Sequence, residues 1–99
     1  MKYEEKDYEN ERIFYLKEDF ISSNTRGFEE DLIDYIKKDD RDIILDLSDI
    51  VKIDSMSIAL ILRIKSKITN SGRALKITNP NESVLRILEL AGLNDFLMD

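Results

Sequence analysis

The sequence predicts an α/β fold, with a small mixed β-sheet of about four strands packed against about three α-helices. Two observations carry this prediction. Short runs of β-branched and aromatic residues alternate with longer segments whose apolar residues recur at helical spacing, and turn-forming residues separate the two kinds of segment. The 99 residues and 42% hydrophobic content suit one domain, spanning residues 1–99, with an ordinary core.

The amino-terminal part is predicted to form a hairpin. Residues 12–17 combine aromatic and β-branched side chains, as a strand requires, and residues 3–8 form a weaker edge strand. Residues 9–11 supply the turn between them. The sheet is therefore expected to begin with two neighbouring strands.

The next segment predicts an amphipathic helix that begins at Ser22 or Ser23. Its apolar residues lie at i, i+4, i+5 and i+8 and are Phe28, Leu32, Ile33 and Ile36. Charged residues 39–42 end the pattern. Residues 43–45 then form an apolar run that is too short for a helix, which predicts a central strand covered on both faces.

The carboxyl-terminal half predicts two more helices and a strand. A largely buried helix begins near Ser55 and stops at residues 70–72, and residues 74–78 form a strand. For the last helix, Asn79 is expected to be the N-cap, with Pro80 at the first helical position. Gly92 is expected to be its left-handed cap.

Composition excludes several kinds of chemistry. The chain has no Cys, His or Trp, which removes thiol nucleophiles, disulfides, imidazole bases and the usual zinc ligands. Its net charge of −6 opposes direct binding to nucleic acid or to an anionic membrane, so a protein partner is favoured. Short apolar stretches and a charged amino terminus predict a cytoplasmic protein without membrane insertion.

No catalytic, cofactor or metal site is expected. The chain lacks the glycine-rich loops that hold phosphates, so any ATP would belong to a partner. The acidic groups at 29–31 and 39–40 are read as solvated charge, because consecutive helical residues point in different directions. A receiver domain would use Asp46 or Asp54, but the chain has too few strand-helix alternations.

The segment 54–57, Asp-Ser-Met-Ser, is the candidate functional segment. It follows a predicted strand and begins a predicted helix, where functional groups gather in open α/β sheets. A serine hydroxyl there is accessible to modification, and the helix terminus tolerates a phosphate. Asp and Ser are also the preferred N-caps, so the residues alone leave open that Asp54 or Ser55 only begins the helix.

Two stretches of the sequence resemble the central part of STAS domains, in particular bacterial anti-sigma-factor antagonists. They are IILDLSDI at 43–50, similar to a strand motif hLDLs, and IDSMSIALIL at 53–62, similar to hDSsGLghL, where h is hydrophobic and s is small. A weaker similarity extends through the upstream amphipathic helix and through residues 83–96. The closing strand and helix of the family are expected to be shortened or absent.

The resemblance implies a role in a partner-switching cascade. In the family, the serine after the aspartate is phosphorylated by a kinase that is also the anti-sigma factor. The unphosphorylated antagonist binds this kinase and displaces the sigma factor, and phosphorylation ends the binding. By match, Ser55 is the phosphoacceptor and Asp54 its neighbouring acid. A phosphatase would reset the switch, and the oligomeric state stays open.

The implied partner-binding surface surrounds Ser55 and consists of Asp54, Met56, Ser57, Ile58, Ser22 and Ser23. Met56 and Ser57 stand where the family usually has Ser or Thr and then Gly, and Ile21 ends a segment that is often Gly-x-Leu-Asp. These departures favour an alternative, a STAS-type interaction or scaffold subunit of a larger complex that is not phosphorylated.

Overall fold

The computed structural model describes residues 1–98 and confirms the predicted fold class, a four-stranded mixed sheet with three α-helices. The strands are Tyr3–Asp7 (β1), Glu11–Leu16 (β2), Asp42–Asp46 (β3) and Leu75–Thr78 (β4). The helices are Phe28–Lys38 (α1), Ser55–Asn70 (α2) and Glu82–Leu90 (α3), followed by a short 3-10 turn at Asn94–Phe96.

The strands lie in the order β1-β2-β3-β4. The strands β1 and β2 form the predicted antiparallel hairpin, whose turn is closed by a hydrogen bond from Tyr8 N to Glu11 O of 2.8 Å. Parallel pairs β2/β3 and β3/β4 complete the sheet, so β3 is central as predicted. After α3, one parallel bridge between Ile77 and Leu97 takes the place of a closing strand within the described residues.

One face of the sheet carries the core. Buried side chains of β2, β3 and β4 form a single cluster with residues of all three helices, and its members include Phe14, Leu45, Ile77, Phe28, Leu32, Ile61, Ile64, Val84 and Leu88. The central strand is buried on both faces, as predicted, since Ile43, Ile44 and Leu45 are at most 3% exposed. Ile44 points to the opposite face, where its register neighbours are Ile13 and Lys76, and it lies outside this cluster.

The first helix begins at Phe28, which corrects the start predicted at Ser22 or Ser23. The backbone there forms turns instead, because Asn24 Nδ2 donates to Asp19 O at 2.9 Å, a local bond that competes with helix formation. Gly27, with a left-handed φ of 77°, then starts the helix. The helix also buries Tyr35, which the apolar pattern did not include.

The last helix begins two residues later than predicted. Asn81 is its N-cap, and the Asn81 side chain accepts a hydrogen bond from Val84 N at 2.8 Å. Asn79 cannot serve as the cap because its backbone has a positive φ of 57°, whereas an N-cap residue is extended. Its side chain instead donates to Asp46 Oδ2 at 3.0 Å. Gly92 has the predicted left-handed conformation, with φ 79°.

Arginine side chains hold the amino-terminal edge of the parallel strands together. Arg73, just before β4, donates from Nη2 to Ile36 O at 2.6 Å and from Nη1 to Asp39 O. These carbonyls lie at the end of α1, where the helix dipole favours a cation. A single guanidinium therefore links α1 to the start of β4.

Replacing Arg73 by Met is expected to lower the free energy of unfolding by about 1–3 kcal/mol, because part-buried carbonyls lose their hydrogen-bond donors. Urea denaturation followed by circular dichroism measures the change. The matched control is Arg86→Met on α3, since Arg86 is exposed and forms no ion pair or side-chain hydrogen bond within residues 1–98. Equal denaturation midpoints for the two variants would contradict the expected role.

Candidate functional site

The candidate segment lies where the sequence places it, between the carboxyl end of β3 and the amino end of α2. Asp54 has an extended backbone and is the N-cap of α2. Its Oδ1 accepts a hydrogen bond from Ser57 N at 2.9 Å. The cap is therefore Asp54, and Ser55 occupies the first helical position.

The second carboxylate oxygen of Asp54 reaches a different part of the chain. Asp54 Oδ2 accepts a hydrogen bond from Ser22 N at 2.8 Å, across 32 positions in sequence. The backbone N–H of Ser22, with further bonds from Ser57, holds the pKa of Asp54 below its usual range despite partial desolvation. One side chain thus joins the Ser22 loop to the start of α2.

A second acid makes a similar connection. Asp19 Oδ1 accepts hydrogen bonds from Val51 N at 2.8 Å and Lys52 N at 3.2 Å, and these backbone donors lower the pKa of Asp19. Between the two acids, Phe20 N donates to Lys52 O at 3.0 Å, and Phe20 forms a parallel bridge with Ile53. Residues 19–22 and 51–54 therefore lie side by side, and we call them the platform.

The side chain of Ser55 is exposed beside the platform and forms no hydrogen bond within the described part of the chain. Met56 is also exposed, with 58% of its surface accessible, and Ser22 and Ser23 are exposed in the facing loop. Ile58 is half-buried. These residues lie on segments that the structure brings together through the bond between Asp54 and Ser22.

Ser57 is placed differently from the expected surface position. Its side chain is fully buried, because it lies on the same face of α2 as Leu60, Ile61 and Ile64, which enter the core. Its Oγ has no hydrogen-bond partner within residues 1–98 that meets ordinary geometry. Only its backbone N–H takes part in the site, by donating to Asp54.

Two platform residues escaped the sequence analysis. Asp19 lies in the segment 18–21, which the resemblance singled out for Ile21 and not for the carboxylate of Asp19, and the segment has no helical or strand periodicity. Val51 is apolar but has 64% of its surface exposed. The only feature of the sequence that could have pointed to Val51 as a site residue is its position, four residues before Ser55.

A further acid supports the same edge of the sheet. The carboxylate of Asp46 is almost completely buried and accepts hydrogen bonds from Ser48 N at 2.9 Å, from Ser48 Oγ at 2.6 Å and from Asn79 Nδ2 at 3.0 Å. Burial alone would raise the pKa of Asp46, but these bonds outweigh it and lower the pKa. Asp46 therefore fixes the loop after β4 to the end of β3.

A groove of about 390 Å³ between α1 and α2 adjoins Met56. Apolar atoms of Ile33 and Leu60 line it together with a two-bond ion pair between Arg63 and Glu29, with both N···O distances 2.8 Å.

In residues 1–98, no cluster of three or more acidic side chains is arranged to hold a metal ion. Within the same residues, no helix has the length and apolar character needed to span a membrane.

Comparisons with known proteins point to one family. The STAS domain family model matches residues 3–98. A candidate anti-sigma factor antagonist from Thermotoga maritima is similar in structure, with a TM-score of 0.90 and 29% identity over 98% of this chain and 86% of that one. No curated protein sequence matches the chain.

Two structures of SpoIIAA share the fold at lower identity. Unphosphorylated SpoIIAA, an anti-sigma factor antagonist, has a TM-score of 0.84 and 15% identity over 99% of this chain and 87% of its own. The Bacillus cell fate determinant SpoIIAA in its phosphorylated form has a TM-score of 0.78 and 14% identity over 99% of this chain and 90% of its own.

Replacing Asp54 by Ala is expected to lower the free energy of unfolding by about 1–2 kcal/mol, because α2 loses its cap and Ser22 N loses its acceptor. Asp54→Ser should recover part of the loss, since a serine can cap the helix but is too short to reach Ser22 as well. Urea denaturation of both variants measures the difference. Full recovery in Asp54→Ser would contradict a separate role for the Ser22 bond, and equal loss in both variants would contradict the role of the cap.

The pKa shifts of Asp19 and Asp54 predict a loss of stability in acid. Because both pKa values are lower in the folded chain than in the unfolded one, the two ionised groups stabilise the fold above pH of about 4. This contribution disappears as the pH falls through the folded pKa values. Denaturation midpoints measured from neutral pH downward should fall less steeply in Asp54→Asn than in wild type, whereas Asp40→Asn, an exposed control, should follow wild type.

Proposed function

The chain belongs to the STAS domain family, and from that membership we propose that it is an anti-sigma-factor antagonist-like regulator in a partner-switching cascade. In its unphosphorylated form it binds an anti-sigma-factor serine kinase, and phosphorylation of Ser55 ends the binding. The observation that carries the proposal is the state of Ser55. Its hydroxyl is exposed and uncommitted at the first position of α2, while Asp54 performs the capping.

The position of Ser55 suits a group that is added and removed. A phosphate at the start of a helix lies near the positive end of the helix dipole, which stabilises negative charge. Since the Ser55 side chain makes no hydrogen bond in the described residues, modification breaks none there. The similarity in fold to SpoIIAA in its phosphorylated form supports the view that this architecture accommodates such a group.

The same phosphate would oppose docking. It adds about −1.5 to −2 charges beside the carboxylate of Asp54. When a partner protein covers this surface, the phosphate and the carboxylate both lose their hydration. Without a compensating positive charge, this desolvation costs several kcal/mol for each group. A loss of that size is enough to turn tight binding into weak binding. Binding of the partner therefore requires that Ser55 is unphosphorylated.

The partner-binding surface of this proposal comprises Asp54, Met56, Ile58, Ser22 and Ser23 around Ser55. Ser57, which is buried, contributes only indirectly, because its backbone N–H holds the carboxylate of Asp54 in place. The chain acts by binding and supplies no catalytic group, so the kinase provides ATP and a phosphatase resets the switch. Residues 1–99 act as one domain in the cytoplasm, without direct contact with nucleic acid and without membrane insertion.

A second candidate is an interaction or scaffold subunit of a larger complex that is never phosphorylated. The observation that favours it is Met56, an apolar side chain with 58% exposure directly after Ser55. An exposed apolar residue suits a permanent contact with another protein. Under this alternative, the chemistry of Ser55 has no effect on binding.

Variants at Ser55 separate the two candidates. The partner is recovered from the native host and mixed with the chain and ATP. We expect wild type to be phosphorylated on Ser55 and then to dissociate from the partner. Ser55→Ala should bind without being phosphorylated, and Ser55→Asp should bind at least about tenfold more weakly. Mass spectrometry of the Ser55 peptide and calorimetric titration measure these outcomes.

The matched control is Ser83→Asp, which adds the same charge to an exposed position in the first turn of α3. It should bind like wild type, and thermal melts should show that all variants fold. Equal affinity of Ser55→Ala and Ser55→Asp, with no phosphate on Ser55, would instead identify the chain as a scaffold subunit.

A further inference from the structure

Building on the proposed function, we infer that the partner is recognised through an apolar contact made by Val51 and Met56, which flank Ser55 in the sequence, with Lys52 as the accompanying charge. The complementary surface of the partner is an apolar pocket with a carboxylate at its rim. Three properties of the platform lead to this description.

The carboxylates of the platform are already engaged within the chain. Asp54 uses one oxygen for Ser57 N and the other for Ser22 N. Asp19 accepts two backbone N–H groups, from Val51 and Lys52. A basic side chain of a partner would have to compete with these bonds at Asp54 and at Asp19 Oδ1, and of the four carboxylate oxygens only Asp19 Oδ2 lacks a hydrogen bond within residues 1–98. Recognition through Asp54 is therefore disfavoured.

Two exposed side chains at and beside the platform, those of Val51 and Met56, are large and apolar. Val51 has 64% and Met56 58% of its surface exposed, and among the large hydrophobic residues in the described part of the chain only Leu90 exceeds them, at 82%. Hydrogen bonds fix the backbone at Val51 and at the cap before Met56, so little conformational freedom is lost there on binding. Buried apolar contacts of this kind dominate interface energies.

The charge available to a partner is that of Lys52. Its side chain is exposed and has no ion pair within residues 1–98, whereas nearby Lys17 is paired with Asp49 at 2.9 Å. A carboxylate on the partner complements Lys52. A phosphate on Ser55, three residues away, would attract Lys52 and repel that carboxylate, so modification of Ser55 makes the site more negative and opposes the partner's charge.

Photo-crosslinking in the native host tests the location of the contact. The full chain carries benzoylphenylalanine at one position at a time: Val51, Met56, or the control positions Leu62 and Leu90, which are 47% and 82% exposed. Positions 51 and 56 should give one and the same protein adduct, and the controls should not give it. Absence of an adduct at 51 and 56, or the same adduct from Leu90, would overturn the inference.

Affinity measurements with the purified adduct partner test its chemistry. Val51→Ser, Met56→Ser and Lys52→Glu should each weaken binding at least about tenfold, whereas Lys52→Arg should bind like wild type. The matched controls Leu62→Ser, Leu90→Ser and Lys67→Glu should leave the dissociation constant unchanged. Raising the salt from about 0.1 to about 0.5 M should weaken binding by a few-fold at most, as expected for one exposed ion pair.

These results also separate the inference from the proposed function. A partner that crosslinks at 51 and 56 but does not phosphorylate Ser55 leaves the apolar contact in place and refutes the kinase switch. A kinase that phosphorylates Ser55 and binds all variants equally supports the switch and overturns the apolar contact. A steep dependence of affinity on salt would likewise overturn it, because it would indicate recognition by several charges.

Discussion

The two hydrogen bonds of Asp54 are the constraint on which the candidate site depends. One carboxylate oxygen caps α2 by accepting a hydrogen bond from Ser57 N, and the other accepts one from Ser22 N, which holds the Ser22 loop beside the start of the same helix. Without this carboxylate, the two segments that surround Ser55 would be joined only by the bonds of Asp19 and Phe20. A single acid next to the proposed phosphoacceptor thus serves architecture, and its ionised state is stabilised by the backbone donors that it orders.

The two ends of the parallel strands have different tasks. At the amino-terminal end, Arg12 pairs with Asp7, Arg41 pairs with Asp39 at 2.6 Å, and Arg73 binds carbonyls at the end of α1. The charges of Arg12 and Arg41 are thus paired within the chain, and Arg73 connects α1 to the start of β4. At the carboxyl-terminal end, acids bind backbone N–H groups and leave Ser55 and its apolar neighbours exposed. Stability and recognition can therefore change independently, as α/β folds generally allow.

The parts of the structure that the sequence predicted are those set by apolar periodicity. The apolar run at 43–45 is the central strand, and the buried helix does begin at Ser55. The starts of α1 and α3 were wrong because side chains of Asn24 and Asn79 form bonds whose partners, Asp19 O and Asp46, are visible only in the folded chain. For the same reason the sequence located the candidate segment but not the contribution of Asp19, whose bonds span 32 and 33 positions.

The two departures from the family motif therefore have different physical consequences. Ser57, in place of the usual glycine, turns its side chain into the core and offers the surface only a backbone N–H that Asp54 already occupies. Met56, in place of a serine or threonine, presents an apolar side chain to solvent beside Ser55. The serine at position 57 is accommodated in the core beneath α2, whereas the methionine at position 56 changes the surface that a partner would contact. A change of partner preference is thus the expected effect of this motif, and the fold that presents Ser55 is preserved.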